Sequence, residues 1–153
     1  MNKKLLLAIG LIPLVIILAI VFNNRDAPSS ATDSKRQLSE LQSIEEGFME
    51  AEVFINAQAP IKIDDQTRLE KALAGPGDMI TYFYTLTTVS VAEVEPATVL
   101  EKIKPKLLTN LCNNAEMQPV LQAGAKIVYV YSDKNSEDVG RIEVVAADCQ
   151  ALS

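Results

Sequence analysis

Apolar residues fill the start of the chain in an unbroken run from Leu5 to Phe22, directly after Lys3 and Lys4. A helix over this run would be about 27 Å long, close to the roughly 30 Å hydrocarbon layer of a bilayer. The two lysines favour a cytoplasmic N-terminus, because basic flanks tend to stay on that side of the membrane. The pattern predicts a single-pass inner-membrane anchor over residues 1–23, with the rest of the chain in the periplasm.

A cleaved secretory signal is the alternative interpretation of the same run. Such signals also begin with basic residues, but their apolar middle is usually about 7 to 15 residues long and ends at small residues. Here the run is longer and is followed by Asn23 and Asn24 rather than by a small pair. We therefore expect an uncleaved anchor, and a secreted or soluble periplasmic protein remains the alternative.

Polar residues follow at 24–34, and their content of serine and alanine predicts a flexible linker. After the linker, apolar residues from Leu38 to Ile55 recur at alternating steps of three and four. That spacing places them on one face of an amphipathic helix over residues 35–57. The part from 35 to 153 is long enough for one domain with a modest core.

Two hairpins separated by a helical block are predicted in the rest of this domain, from β-branched and aromatic stretches bounded by turn residues. The predicted elements are strands at 67–74 and 79–91, helices at 95–111 and 115–123, and strands at 125–131 and 141–149. Pro105 is expected to break or kink the first of these two helices. The grouping predicts an α+β fold: a four-stranded antiparallel sheet of two hairpins, with the N-terminal helix and the central block packed on one face.

The charge of the chain narrows the range of partners. From Asp26 onward there are 11 basic and 20 acidic residues, which gives a net charge of −9, against −6 for the whole chain. An acidic domain repels phosphate backbones, so binding to nucleic acid is disfavoured. We expect the membrane, through residues 5–22, and a protein of unknown identity as partners.

Cys112 and Cys149 lie 37 residues apart and outside any CxxC arrangement. In the oxidising compartment that the anchor predicts, we expect them to form a disulfide. A redox-active pair is the alternative, although redox dithiols are normally close in sequence. With no histidine in the chain there is no ordinary zinc site and no Ser-His-Asp arrangement. We predict no catalytic residue, no metal and no cofactor, and a protein that is not an enzyme.

All four tyrosines of the chain fall in two predicted strands, as Tyr82 with Tyr84 and Tyr129 with Tyr131. The i, i+2 spacing puts both rings of each pair on one face of a strand, so the four would share a patch if the strands are neighbours. Packing of cross-strand aromatic pairs is one interpretation. Recognition of a peptide or glycan is the other, and it makes these four residues candidates for partner binding.

Three charged clusters are interpreted as structural. Residues 133–137 imitate the first half of a calcium loop, but the required Gly and bidentate Glu are missing, which favours a solvated hairpin turn. Asp64, Asp65 and Glu70 suit turn formers rather than paired catalytic carboxylates. The lysines within 102–106 are interpreted as a solvated helix edge, with contact to an acidic partner as the alternative.

A resemblance to known proteins runs from about Phe54 to Cys149. It rests on these residues: Ala57, Pro60, Ile63-Asp64, Thr67, Tyr82-Phe83-Tyr84, Cys112, Leu121, Gly124, Val128-Tyr129-Val130-Tyr131 and Cys149. The pattern resembles small exported α+β domains of gram-negative bacteria, including virulence-associated secreted proteins and, more distantly, the pilotins of type II secretion. Pilotins are acylated at an N-terminal cysteine, and this chain has no cysteine near its apolar run.

The leading interpretation is a membrane-anchored periplasmic domain that acts by binding, either as an accessory of an envelope assembly or as an inhibitor of another protein. The first alternative is a cleaved, secreted binding or virulence protein. An enzyme of an unrecognised type is the third interpretation.

Overall fold

The computed structural model describes residues 33–151. The predicted anchor at 1–23 and nearly all of the predicted linker lie outside these residues. In chain order, the elements are α1 (Asp33–Gln58), β1 (Ile61–Lys62), β2 (Thr67–Ala74), β3 (Met79–Leu86), α2 (Pro96–Cys112), α3 (Met117–Gln122), β4 (Lys126–Ser132), β5 (Asp138–Val144) and α4 (Ala146–Gln150). Within this part of the chain, no helix combines the length and the apolar composition that a membrane span needs.

The strands form one five-stranded sheet in the order β1-β2-β3-β4-β5. β2 and β3 pair antiparallel as the first predicted hairpin, and β4 and β5 pair antiparallel as the second. Between them, β3 and β4 are parallel, with Tyr82 opposite Tyr129 and Tyr84 opposite Tyr131. The fold is therefore α+β, as the sequence predicts, but its sheet is mixed.

The prediction of a four-stranded antiparallel sheet is wrong in two respects. The two-residue strand β1 pairs with the start of β2, where Ile61 lies opposite Leu69, and it is too short to leave a pattern in the sequence. The helical block α2–α3 carries the chain from the end of β3 back to the end of the sheet where β3 began. Such a crossover makes the next strand parallel to the previous one, so the two hairpins meet through a parallel pair.

The sheet has a covered face, on which all the long helices pack, and an open face. Ala72, Tyr82, Tyr129 and Ile142 form one row of the covered face across β2 to β5, and all four are buried. The core that includes this row also contains buried side chains from three helices: Ile44, Phe48, Ala51 and Ile55 of α1, Leu108 and Leu111 of α2, and Val120 and Leu121 of α3. The helices therefore lie on one side of the sheet, as predicted.

Three local predictions differ from the structure. The strand predicted at 79–91 ends at Leu86. The helix is not broken at Pro105, because α2 continues through this exposed residue. The strand predicted at 141–149 ends at Val144, so Cys149 lies on the short helix α4. The Val145 N–H donates to the Asp148 carboxylate at 3.0 Å, and this local bond favours the helical turn over a longer strand.

Side chains of α1 close one edge of the sheet. Beyond the short β1, the backbone of Ala72 is bonded twice by the Asn56 carboxamide: Asn56 Nδ2 donates to the Ala72 carbonyl at 2.9 Å, and the Ala72 N–H donates to Asn56 Oδ1 at 2.8 Å. The Ala74 N–H donates to Glu52 at 2.8 Å. These side chains take the place of a neighbouring strand, which prevents the edge of β2 from pairing with another chain.

Candidate functional site

The four tyrosines meet in one cluster on the covered face. The ring centroids of Tyr82 and Tyr129 are 5.7 Å apart, and those of Tyr84 and Tyr131 are 5.6 Å apart. Tyr84 also stacks on Tyr129, with 6.2 Å between centroids. The parallel register of β3 and β4 thus brings the two sequence pairs together, in the range where aromatic rings attract each other.

This tyrosine cluster belongs to the core. Tyr82, Tyr129 and Tyr131 are buried and Tyr84 is half-buried. Burial raises the pKa of all four hydroxyls well above the ordinary range of tyrosine, so they stay protonated. The position favours the packing interpretation, and the use of these rings in partner binding stays a prediction.

Cys112 and Cys149 form a disulfide, with their Cα atoms 5.3 Å apart. Cys112 is the last residue of α2, and Cys149 lies on α4, so the bond ties the C-terminal helix to the middle of the chain. No residue of α4 is buried, and a helix of five residues is too short to be stable alone. The disulfide is therefore the covalent link that holds α4 to α2, and the half-buried Ala146 and Cys149 add packing against the core.

A pocket of about 470 Å³ opens beside this disulfide, between α2, α3 and α4. Its lining residues are Thr109, Cys112, Asn113, Gln118, Leu121, Gln122, Ala146, Cys149 and Gln150. Four of them carry a carboxamide and none carries a charge. We call this site the amide pocket.

The chemistry of the amide pocket suits an uncharged hydrogen-bonding ligand. A carboxamide offers both a donor and an acceptor, which is also what a peptide group offers. Gln118 Nε2 already donates to the Cys112 carbonyl at 2.8 Å, whereas the exposed side chains of Gln122 and Gln150 make no hydrogen bond to a described residue. Leu121 and the disulfide supply an apolar floor. Such a mixture can hold a short peptide segment, by its backbone and by one apolar side chain.

Asp133 organises the turn between β4 and β5, where the sequence predicts a solvated hairpin. The turn is present, but the Asp133 side chain is fully buried. Its carboxylate accepts backbone N–H bonds from Val91 at 3.0 Å, Asn135 at 2.7 Å and Glu137 at 2.9 Å. Burial acts to raise the pKa of this carboxyl, and the N–H donors outweigh burial and lower it. Asp133 thus fixes both its own turn and the loop after β3.

The other charged candidates are engaged locally or exposed. Asp64 accepts the Gln66 N–H at 2.8 Å, and Asp65 pairs with Lys62 at 2.7 Å, as expected of turn formers. Glu70 pairs with Arg68. The lysines within 102–106 are exposed on α2. Across residues 33–151, no group of three or more His, Cys, Asp or Glu side chains could hold a metal ion.

The sequence profile of one family matches residues 42–139, from the middle of α1 into β5. The chain belongs to this family, described as a domain of unknown function, DUF8479. No curated protein is significantly similar to the DUF8479 chain in sequence.

Solved structures from Pseudomonas aeruginosa and from two Vibrio species share this fold. A candidate secreted protein from Pseudomonas aeruginosa has a TM-score of 0.59 at 15% identity, covering 72% of this chain and 96% of its own. The pilotin EpsS of the Vibrio vulnificus type 2 secretion system has a TM-score of 0.59 at 14% identity, with the same coverage. The type II secretion pilotin AspS of Vibrio cholerae has a TM-score of 0.57 at 12% identity, covering 73% and 97%. The predicted resemblance is confirmed, and at these identities it establishes the fold of the DUF8479 chain.

The amide pocket is the feature that sequence reasoning misses. Its carboxamides belong to segments 113–122 and 146–150, which only the disulfide and the helix packing bring together. Asparagine and glutamine next to helix ends are common, and their spacing carries no signal. The single hint in the sequence is the cysteine pair, which predicts that the two segments approach each other.

Proposed function

We propose that this DUF8479 chain is a protein-binding accessory of an envelope assembly, whose folded domain lies in the periplasm. The fold that it shares with a candidate secreted protein and with two type II secretion pilotins supports this setting. The disulfide also suits an oxidising compartment. No enzymatic activity is part of the proposal.

The amide pocket carries the proposal of a protein partner. It is concave, uncharged and lined by groups that match peptide donors and acceptors, and its size of about 470 Å³ suits a few residues of an extended or turn-forming segment. The partner would place one apolar side chain against Leu121 and bond its backbone to Gln122 and Gln150.

Crosslinking in living cells tests this use of the pocket. A photoreactive phenylalanine analogue replaces Gln122 at the pocket rim, or Gln66 in the exposed turn before β2 as the matched control. We expect a discrete adduct with an envelope protein from position 122 and none from position 66. The adduct from position 122 should be lost when Gln150→Arg is added, because the arginine fills the pocket with an unpaired charge. Equal adducts from both positions, or none from position 122, would contradict the proposal.

We further propose that residues 5–22 hold the domain at the inner membrane. The length of the apolar run supports an uncleaved anchor, and the likeness to a candidate secreted protein supports the alternative of a cleaved chain. Membrane fractionation with N-terminal sequencing of the native protein separates the two. A mature N-terminus beyond Asn23 in the soluble fraction would overturn the anchor and leave the secreted alternative.

A further inference from the structure

The segment between β3 and α2, residues 87–95, is fastened to the turn between β4 and β5. The Val91 N–H donates to the Asp133 carboxylate at 3.0 Å, and the Lys134 N–H donates to the Val89 carbonyl at 3.0 Å. We call residues 87–95 the strap. Its attachment joins two loops that are more than 40 residues apart in the sequence.

Only the middle of the strap is buried. Val89 and Val91 are half-buried and pack against the core, and Ser90 between them is 5% exposed. The residues on both sides of these three are exposed. At the start of the strap, the Thr87 N–H donates to the Gln66 carbonyl at 2.9 Å, which fixes the point where the strap leaves the sheet. The three middle residues are therefore the part of the strap that the rest of the domain holds.

The contacts of these three residues are those of a bound peptide. The Val89 carbonyl and the Val91 N–H lie two residues apart and bond to the same turn, as successive groups along one side of an extended strand do. The Asp133 carboxylate takes the place of a carbonyl on a neighbouring strand. When a protein binds an extended segment, such backbone bonds supply affinity, and pockets for alternate side chains supply specificity. The two valines are the alternate apolar side chains here.

A charged contact extends this pattern at the surface. The Lys134 ammonium lies 3.6 Å from the Glu93 carboxylate, two positions after Val91. An exposed pair of this kind adds little to stability, but it favours an acidic residue at this position over a basic one. The full pattern that the turn and the core hold is an apolar residue, a small residue, a second apolar residue and, two positions later, an acidic residue.

We propose that the strap occupies a peptide site, from which an extended segment of a protein partner with the same pattern displaces it. The strap is then an autoinhibitory contact. Because it is attached to the domain, it competes at an effective concentration of about millimolar, so the closed protein binds such a segment weakly. The site shares no residue with the amide pocket, and the proposal does not depend on that pocket.

A labelled peptide with the sequence of residues 87–95 tests the proposal by fluorescence anisotropy on the full-length chain in detergent. The variant Val89→Ser with Val91→Ser weakens the attached strap and leaves Asp133 and Lys134 in place. We expect this variant, folded by circular dichroism, to bind the peptide about tenfold or more tightly than wild type does. A peptide with serine in place of both valines should not bind.

Two matched controls locate the effect. Val94→Ser changes an exposed valine of the strap and should bind the peptide as weakly as wild type. Added to the strap variant, Asp133→Ala should abolish binding, whereas Asp64→Ala, which removes the acceptor of the Gln66 N–H in another turn, should leave binding unchanged. Binding that survives Asp133→Ala would overturn the proposal.

Hydrogen exchange on wild type supplies a measurement that needs no variant. The Val91 amide should exchange through an opening that leaves the amides of Tyr82 and Tyr129 in the sheet protected. The proposal is overturned if the Val91 amide stays protected as long as these two. It is also overturned if the folded strap variant and wild type bind the peptide alike, or if the serine peptide binds as tightly as the valine peptide.

Discussion

Removal of the disulfide should destabilise the domain strongly, and the loss should begin at α4. The variant replaces Cys112 and Cys149 with alanine. The bond closes a loop of 37 residues, and on the chain-entropy model that closure contributes about 4 kcal/mol. A domain of this size has a total stability of roughly 5–15 kcal/mol, so the melting temperature should fall by about 15 °C.

The structure also predicts which part of the domain opens first when the disulfide is removed. α4 has no buried residue, and its packing on the core includes only half-buried side chains, those of Ala146 and Cys149. The sheet keeps its core, whose fully buried side chains include Ile80 and Ile127. We therefore expect α4 to exchange its amide hydrogens almost freely in the variant, while amides of β3 and β4 stay protected below the melting temperature.

Denaturant titration and hydrogen exchange on the same samples check both parts. Wild type treated with a reductant is the matched control, because it loses the bond and keeps the sequence. Equal denaturant midpoints for wild type and variant would refute the entropic argument. Protection of α4 that survives the loss of the bond would refute the assignment of its stability to the disulfide.

Three further predictions concern the sheet, the turn and the core. Asn56→Ala should lower the free energy of unfolding by about 2 kcal/mol in urea titrations, because the backbone of Ala72 at the sheet edge loses two hydrogen bonds. An unchanged urea midpoint would contradict the role of Asn56 in closing this edge. For Asp133, the lowered pKa means that its stabilising effect is present above the pKa of the unfolded chain, near 3.8, and is lost as the pH falls through the lower folded pKa. Asp133→Asn should therefore be less stable than wild type at pH 7 and approach it in acid, and a gap independent of pH would contradict this. Tyr84→Ala with Tyr129→Ala should unfold the domain, as followed by circular dichroism, because the pair removes two stacked rings from the core, at about 3 kcal/mol or more for the buried Tyr129. A folded variant that loses only its partner would favour recognition.

The local elements follow from the sequence because each is decided by its own residues. Apolar positions at steps of three and four predict α1, and the Gly-Pro-Gly-Asp turn predicts the hairpin of β2 and β3. Gly124, directly after α3, has a φ of +103° and its N–H donates to the Leu121 carbonyl, which is the geometry of a left-handed C-cap. Periods and turn residues act over a few positions, so they can be seen in a single sequence.

The pairing of distant strands does not follow in the same way. Nothing in β3 or β4 alone decides whether they run parallel, because the direction depends on the path of the helical block between them. The sequence therefore does not predict the parallel pair, which places Tyr82 beside Tyr129. The same limit applies to the outer side of α1, where Met49, Val53 and Phe54 are exposed. The exposure of Val53 and Phe54 depends on which side of the helix the sheet occupies, and the periodicity leaves these two side chains unassigned.

Only part of the amide pocket lies within the residues that the family profile covers. The DUF8479 profile covers residues 42–139, so it includes the α2–α3 wall of the pocket and ends before α4, which supplies Ala146, Cys149 and Gln150. The α2–α3 wall therefore belongs to the part of the fold that the family shares. The second wall depends on the short helix α4, which the disulfide holds in place. A partner that binds this pocket should for that reason be released by reduction of the disulfide even at temperatures where the sheet stays folded. Loss of binding on reduction, measured together with intact protection of β3 and β4, distinguishes a pocket that depends on α4 from a surface elsewhere on the domain.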